Sequence, residues 1–236
     1  MKEFTPINDL NRIVGGKLFV PISLGNHYYS LGILRQLLVE FVSKSELSIV
    51  FLCDRLRFLS YQIRGETNIK RINSNIKIQL DQMSRVLANL GIKDYKNVVV
   101  ANWSLIRDDP RFCDLLASLE KVVIADAEVD GEMHKYCTKL MHRFYGFVGT
   151  GYDESMKLQR QYVMEETALS LFMTEVYGHN LEVYRRGLGF VDYLYSDRPT
   201  TLTLITGKSQ LNRRFIAIED WLRPEIQDPS RKRLPS

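Results

Sequence analysis

Three residues of this chain combine a reactive type with a telling position: Ser23, Tyr162 and Glu166. Ser23 falls within Lys17-Leu-Phe-Val-Pro-Ile-Ser-Leu-Gly-Asn-His-Tyr-Tyr-Ser30. Leu18, Phe19, Val20 and Ile22 form a short apolar run of buried-strand type, and Gly25-Asn26 tolerates the left-handed backbone of a sharp turn. The spacing thus predicts strand, tight loop and helix, with Ser23 at the carboxyl end of the strand. Open α/β sheets place their chemistry there, because backbone N–H groups and the next helix N-terminus converge at that edge. A serine so placed can act as a nucleophile, although Ser and Asn are also ordinary turn and cap residues. Tyr162 and Glu166 are four apart in a helical pattern, so they share a face and can address one small ligand together, or form a solvated polar stripe.

The wider pattern is specific. Ile22-Ser23-Leu24-Gly25-Asn26-His27-Tyr28-Tyr29-Ser30 resembles the first signature of the cyclodipeptide synthases, a Ser followed by an Asn and an aromatic before the first helix. Tyr162 with Glu166 is similar to that family's second signature, except that Ala168 replaces the usual proline. Leu181-Glu182-Val183-Tyr184-Arg185 resembles the strand that ends in a catalytic tyrosine. The two subgroups follow this tyrosine with His or Pro, whereas this chain has Arg185 beside the Asn26 of the first subgroup. Trp103 and Asp109-Pro110 are also family-like, so the resemblance runs from about Val20 to Ile205.

The resemblance implies a Rossmann-like domain akin to the catalytic domain of class I tyrosyl- and tryptophanyl-tRNA synthetases. It implies Ser23 as the nucleophile for an aminoacyl group, Tyr162 and Glu166 as holders and base for its amine, Tyr184 as a proton relay, and Asn26 as part of the catalytic turn. Phe19, Pro21 and Glu182 would line the pocket for the first amino acid. A carboxylate at Glu182 suggests a cationic or strongly polar first residue, unless it is an edge-strand glutamate facing water. The partners would be two aminoacyl-tRNAs. Neither cofactor nor metal is expected, because an aminoacyl ester is already activated. The chain also lacks the His-x-Gly-His and Lys-Met-Ser-Lys-Ser sequences that would hold ATP.

These residues need a scaffold, and periodicity supplies one. After the strand through Ile22, a helix is expected over Leu31–Ser43 and a second buried strand over Leu47–Cys53. A short helical or irregular piece leads to Gly65, and a long helix runs from Asn68 to Leu90 with Gly91 as its cap. Lys96–Trp103 reads as a third strand. Helices follow over Arg111–Lys121, Glu132–Phe147 and Glu154–Tyr177. Leu181–Tyr184 reads as a fourth strand, Leu188–Tyr195 as a helix and Thr201–Ile205 as a fifth strand. The expected architecture is a single three-layer α/β domain over residues 1–236, with a lead-in through Gly16 and a loose basic tail from about 224.

On the long helix, Ile69, Ile72, Ile76, Leu80, Met83, Val86, Leu87 and Leu90 fall within an arc of roughly 120° at about 100° per residue. Lys70, Arg71, Lys77 and Arg85 occupy the far side, interrupted by Asp81, with Ile78 as an apolar exception. The resemblance makes this stripe the expected grip on tRNA.

Composition sets the outer bounds. With 236 residues, 45% apolar and 25% charged, the chain has the profile of an ordinary globular protein. A net charge of +4 and pI near 8.9 suit a polyanionic partner. Cys53, Cys113 and Cys137 are too scattered for a disulfide framework or zinc site, and the four histidines show no metal spacing. No secretory signal or membrane span is legible, so a cytoplasmic monomer is expected. Thr206-Gly207-Lys208-Ser209 lacks the earlier glycine of a P-loop, which falls on Leu202. No Gly-x-Ser-x-Gly elbow surrounds Ser23. A non-catalytic RNA-binding module and a serine acyl-ester hydrolase are the alternative functions.

Overall fold

The computed structural model describes residues 16–26, 28–145, 151–184, 189–208, 211 and 213–218. His27, Arg185, Ser209, the lead-in before Gly16 and the basic tail lie outside them. In chain order the elements are β1 (Lys17–Ile22), α1 (Leu31–Glu40), β2 (Leu47–Leu52), α2 (Asp54–Ile63), α3 (Ile69–Asn89), β3 (Val98–Asn102), α4 (Pro110–Ala125), α5 (Ala127–Tyr145), α6 (Tyr152–Leu171), β4 (Leu181–Tyr184), α7 (Gly189–Asp197), α8 (Pro199–Thr206) and β5 (Arg214–Ala217). A π-helical turn over Phe172–Val176 extends α6.

The five strands form one parallel sheet in the order β3-β2-β1-β4-β5. Its two faces follow from strand alternation. Leu18, Val20 and Ile22 of β1 pack with Ile33, Leu34 and Leu37 of α1 and with Ile72, Ile76 and Leu87 of α3. Phe19, Ile49 and Phe51 point the other way, into a core with Leu115 and Leu119 of α4, Met133 of α5 and Val163 and Ala168 of α6. This is the expected three-layer arrangement. The chain moves outward from β1 to β3 and then returns to β4 on the other side of β1. The strand order therefore reverses between β1 and β4, which creates a crevice at their carboxyl ends.

One expected strand is a helix. Thr201–Ile205 alternates apolar and polar residues, but Pro199 opens a helix whose buried residues are Leu202 and Ile205, three apart, while Leu204 is 73% exposed. The Thr203 and Thr206 hydroxyls donate to the carbonyls four residues back, at 2.9 Å each. The fifth strand is instead Arg214–Ala217. Gly207 caps α8 with φ +70°, so the Gly-Lys pair that resembles a P-loop follows a helix rather than a strand. The segment after Cys53 is a regular helix, with Leu56, Leu59 and Ile63 buried.

Glu182 is fully buried on β4, which lies between β1 and β5, so it is neither on an edge strand nor in water. Its Oε2 accepts from Arg213 Nε and Ser170 Oγ, both at 2.7 Å, and Arg213 Nη1 donates to Asp192 Oδ1 at 2.7 Å. Burial disfavours the Arg213 cation, but the two carboxylates more than offset this and hold it charged. Removing one partner of such a pair leaves a buried, uncompensated charge. We expect Glu182→Leu to lower the unfolding free energy by about 3–5 kcal/mol, and Glu182→Leu combined with Arg213→Met to recover most of the loss. Urea denaturation of both variants measures this.

Candidate active site

The crevice at the strand reversal brings together residues from three distant parts of the chain. Ser23 is the first residue beyond β1 and Tyr184 is the last of β4, and their hydroxyl oxygens are 2.7 Å apart. The Ser23 turn is held locally. The Asn26 N–H donates to the Ser23 carbonyl at 3.3 Å, Asn26 Oδ1 accepts from the Tyr28 N–H at 3.0 Å, and Gly25 has φ +67°. Asn26 thus shapes the turn through its carboxamide oxygen. The Tyr29 hydroxyl donates to the Pro21 carbonyl at 3.0 Å, which anchors the start of α1 to β1.

Tyr162 and Glu166 approach from α6. Both are half-buried, and a hydrogen bond from Tyr162 reaches the Glu166 carboxyl. Loss of hydration and the nearby Glu182 push Glu166 up to about 8, with the Tyr162 hydrogen bond opposing them. Burial and then the proximity of Glu166 and Cys53 hold the Tyr184 phenol well above its ordinary range, and its bond to Ser23 only partly offsets them. Tyr184 is therefore a neutral hydroxyl, able to donate to or accept from Ser23. Cys53 lies beside the same acids, yet burial above all keeps it a thiol, so it is a poor competitor for the nucleophile's part.

Phe19, Glu182 and Tyr184 share one side of the sheet. Phe19 pairs with Glu182 across β1 and β4, and Tyr184 follows two residues on. Pro21 is buried on the same side of β1. Because Arg213 already meets the Glu182 charge, that carboxylate gives no electrostatic reason to expect a cationic first amino acid.

The structure adds residues that the sequence left unassigned. Arg55 Nε and Nη2 donate to the two oxygens of Glu165 at 2.9 Å each, and Gln161 Nε2 donates to Glu165 Oε1 at 2.9 Å. This fork joins α2 to α6 next to Glu166. The Cys53 N–H donates to the Ile22 carbonyl at 3.0 Å, so the Arg55 end of the brace is tied to the residue before Ser23. Tyr136 of α5 is also drawn in. Burial first, then Glu166 and Asp192, raise its phenol, and its ring lies 2.7 Å from where a Gly189 Cβ would stand. The amphipathic spacing after Asp54 could have revealed α2, but nothing in the sequence pairs Arg55 with Glu165, which lie 110 residues apart.

Lys70, Arg71, Lys77 and Arg85 are exposed along α3, away from the crevice residues on α6. Ile72, Ile76 and Leu87 are buried as expected, and Leu80, Met83, Val86 and Leu90 pack against them. Ile69 and Ile78 are about half exposed, at 48% and 51%. Arg71 pairs with Glu66 at 3.3 Å. Among the described residues, no helix is long and apolar enough to cross a membrane, and no cluster of three His, Cys, Asp or Glu could hold a metal ion.

No family model matches the sequence, and no curated protein is significantly similar to it. Solved structures do match. A CDPS from Fluoribacter dumoffii superposes with a TM-score of 0.72 at 13% identity, covering 89% of this chain and 92% of that one. AlbC, a cyclodipeptide synthase from Streptomyces noursei, gives 0.62 at 16% identity, over 88% of this chain and 100% of its own. A Mycobacterium tuberculosis structure described as relating cyclodipeptide synthetases to type I tRNA synthetases gives 0.63 at 19% identity, over 79% and 81%. The fold is that of the cyclodipeptide synthases. At such identities the likeness speaks to the backbone alone.

Glu166 offers a direct check. An unfolded glutamate has a pKa near 4.5, whereas the folded one is held at about 8. Between these values the folded state keeps a proton that the unfolded state releases, so this group's stabilising contribution is full below pH 4.5 and is lost as pH rises to 8. We expect Glu166→Gln to flatten that decline, and to gain in stability over the wild type progressively from pH 5 to pH 8. Thermal melts across this range measure it.

Proposed function

We propose that this protein joins two amino acids from aminoacyl-tRNAs into a cyclic dipeptide, and the 2.7 Å contact between Ser23 and Tyr184 at the strand reversal carries this reading. Ser23 Oγ attacks the ester carbonyl of the first aminoacyl-tRNA. The ester C–O bond breaks, the tRNA leaves as its terminal hydroxyl, and the serine proton passes through Tyr184 to the leaving oxygen. Tyr162 and Glu166 hold the α-amine of the aminoacyl-serine. A carboxyl held near 8 is matched to an α-amine, whose ordinary value is about 7.7–8.0, so a proton moves between them at little energetic cost. The amine of a second aminoacyl-tRNA then displaces Ser23 from the ester to give dipeptidyl-tRNA, and Ser23 Oγ attacks the remaining ester, releasing the second tRNA as its terminal hydroxyl and leaving a dipeptidyl-serine. Its free amine, held close to the new ester, closes the ring and releases Ser23.

The activation arrives with the substrate, so the residues need only supply a nucleophile, a proton path and a base. Phe19, Pro21 and Glu182 line the pocket for the first side chain in this scheme, and Lys70, Arg71, Lys77 and Arg85 meet the tRNA backbone. Mass spectrometry after incubation with a pool of charged tRNAs tests the reading. A cyclic dipeptide supports it, free amino acid makes the protein an esterase, and no turnover makes it an RNA-binding module.

Ser23→Ala is expected to abolish both product and covalent adduct, and an adduct that survived would overturn the nucleophile's assignment. Glu166→Gln should lower the rate by about 10²–10⁴, as loss of a general base does. Glu165→Gln should lower it less, since that side chain turns toward Arg55. Lys77→Glu with Arg85→Glu should weaken aminoacyl-tRNA binding and reduce its salt slope by roughly 0.7–0.9 for each lost phosphate contact. An unchanged slope would leave the stripe a solvated surface.

A further inference from the structure

One cation stands against the Ser23 turn, and the acyl-transfer scheme leaves it unused. Arg57, on α2, donates from Nε to Gln79 Oε1 of α3 at 3.1 Å and from Nη2 to the Tyr61 hydroxyl at 3.5 Å. Gln79 Nε2 donates to the same hydroxyl at 3.0 Å, and the guanidinium carbon lies 4.6 Å from the centre of the Tyr61 ring. Two side chains, Tyr61 of α2 and Gln79 of α3, thus fix its plane. The guanidinium reaches the turn itself: a Cβ on Gly25 would stand 2.8 Å from Nη2 and 3.0 Å from the guanidinium carbon. Gly25 is exposed, with φ +67°, so both the backbone conformation and this approach call for glycine.

The other arginines near the crevice meet carboxylates. Arg55 is matched to Glu165 and Arg213 to Glu182 and Asp192. Arg57 makes no ion pair with a described residue, and its Nη1 makes no hydrogen bond with one. An oriented guanidinium fork with no carboxylate partner among the described residues is suited to an anion, and bidentate recognition favours phosphate.

We infer that Arg57 binds a phosphodiester of the single-stranded 3′ end of the aminoacyl-tRNA. This rests on the acyl-transfer reading and deepens it. An ester carbonyl at Ser23 puts the terminal nucleoside beside the turn and its 5′ phosphate one ribose farther out. Arg57 meets the chain two residues beyond Ser23. Through Gln79 it adjoins α3, the helix that carries the basic stripe.

Single-turnover acylation of Ser23 tests this, with aminoacyl-tRNA and with a small activated ester of the same amino acid, such as its dinitrobenzyl ester, which carries no phosphate. For Arg57→Gln, half-saturation by aminoacyl-tRNA should rise about 10- to 100-fold, the range of a lost charge-assisted hydrogen bond. The salt slope should fall by roughly 0.7, the value for one phosphate on a single strand. Any slowing with the small ester should be at least tenfold smaller. Arg57→Lys, which keeps the charge, should keep the salt slope. Equal losses with both esters would make Arg57 a brace for the turn and overturn the inference, as would an unchanged half-saturation in Arg57→Gln. A wild-type protein that forms no Ser23 adduct would overturn the acyl-transfer reading itself, and this inference with it.

Discussion

The parallel pairing of β1 with β4 is the constraint on which the crevice depends. The two strands are matched over Leu18–Leu181 and Phe19–Glu182, and this register carries Ser23 to the Tyr184 hydroxyl. A slip of one residue would turn Tyr184 and Glu182 to the opposite face, against α1 and α3, and leave Ser23 without its partner. Several contacts defend the register. Both faces of β1 are buried, and the buried Glu182–Arg213 pair admits one arrangement of β4 against its neighbours. Register and chemistry are therefore coupled, because the group that fixes β4 in the core stands two residues before the one that meets Ser23.

Charge is distributed with the same economy around the crevice. Glu165 and Glu182 are each paired with an arginine. Glu166 forms no ion pair with a described residue. Its hydration is lost and Glu182 lies nearby, so its proton is held until about pH 8. Adjacent glutamates on α6 thus have different chemistry because helix geometry points them at different neighbours. One braces α6 against α2, and the other is a neutral acid that can exchange a proton near physiological pH.

The arginines divide in a parallel way. Arg55, Arg57 and Arg213 are all held by hydrogen bonds to side chains, but only Arg57 is held by neutral ones. The crevice thus has a protonated carboxyl on the α6 side of the strand reversal and a guanidinium at the mouth of the Ser23 turn.

Much of this was legible in the sequence wherever the signal is local. The buried run before Ser23 and the Gly25-Asn26 turn are set by neighbours in the chain. The same holds for the apolar arc of Ile72, Ile76 and Leu87, the cap at Gly91, and the shared face of Tyr162 and Glu166. The alternation over Thr201–Ile205 misled because period two can arise by chance in five residues, whereas Pro199 and the core behind Leu202 and Ile205 settle the helix. Tertiary structure alone decided which distant groups meet. The partners Arg55–Glu165, Arg213–Glu182 and Arg57–Gly25 are separated by 110, 31 and 32 residues, and no periodicity spans such gaps. It also decided that Glu182 is an inner carboxylate paired with Arg213 rather than an edge-strand glutamate facing water. Burial and electrostatic pairing depend on what the folded chain brings from elsewhere, and a strand's own sequence does not encode its neighbours' charges.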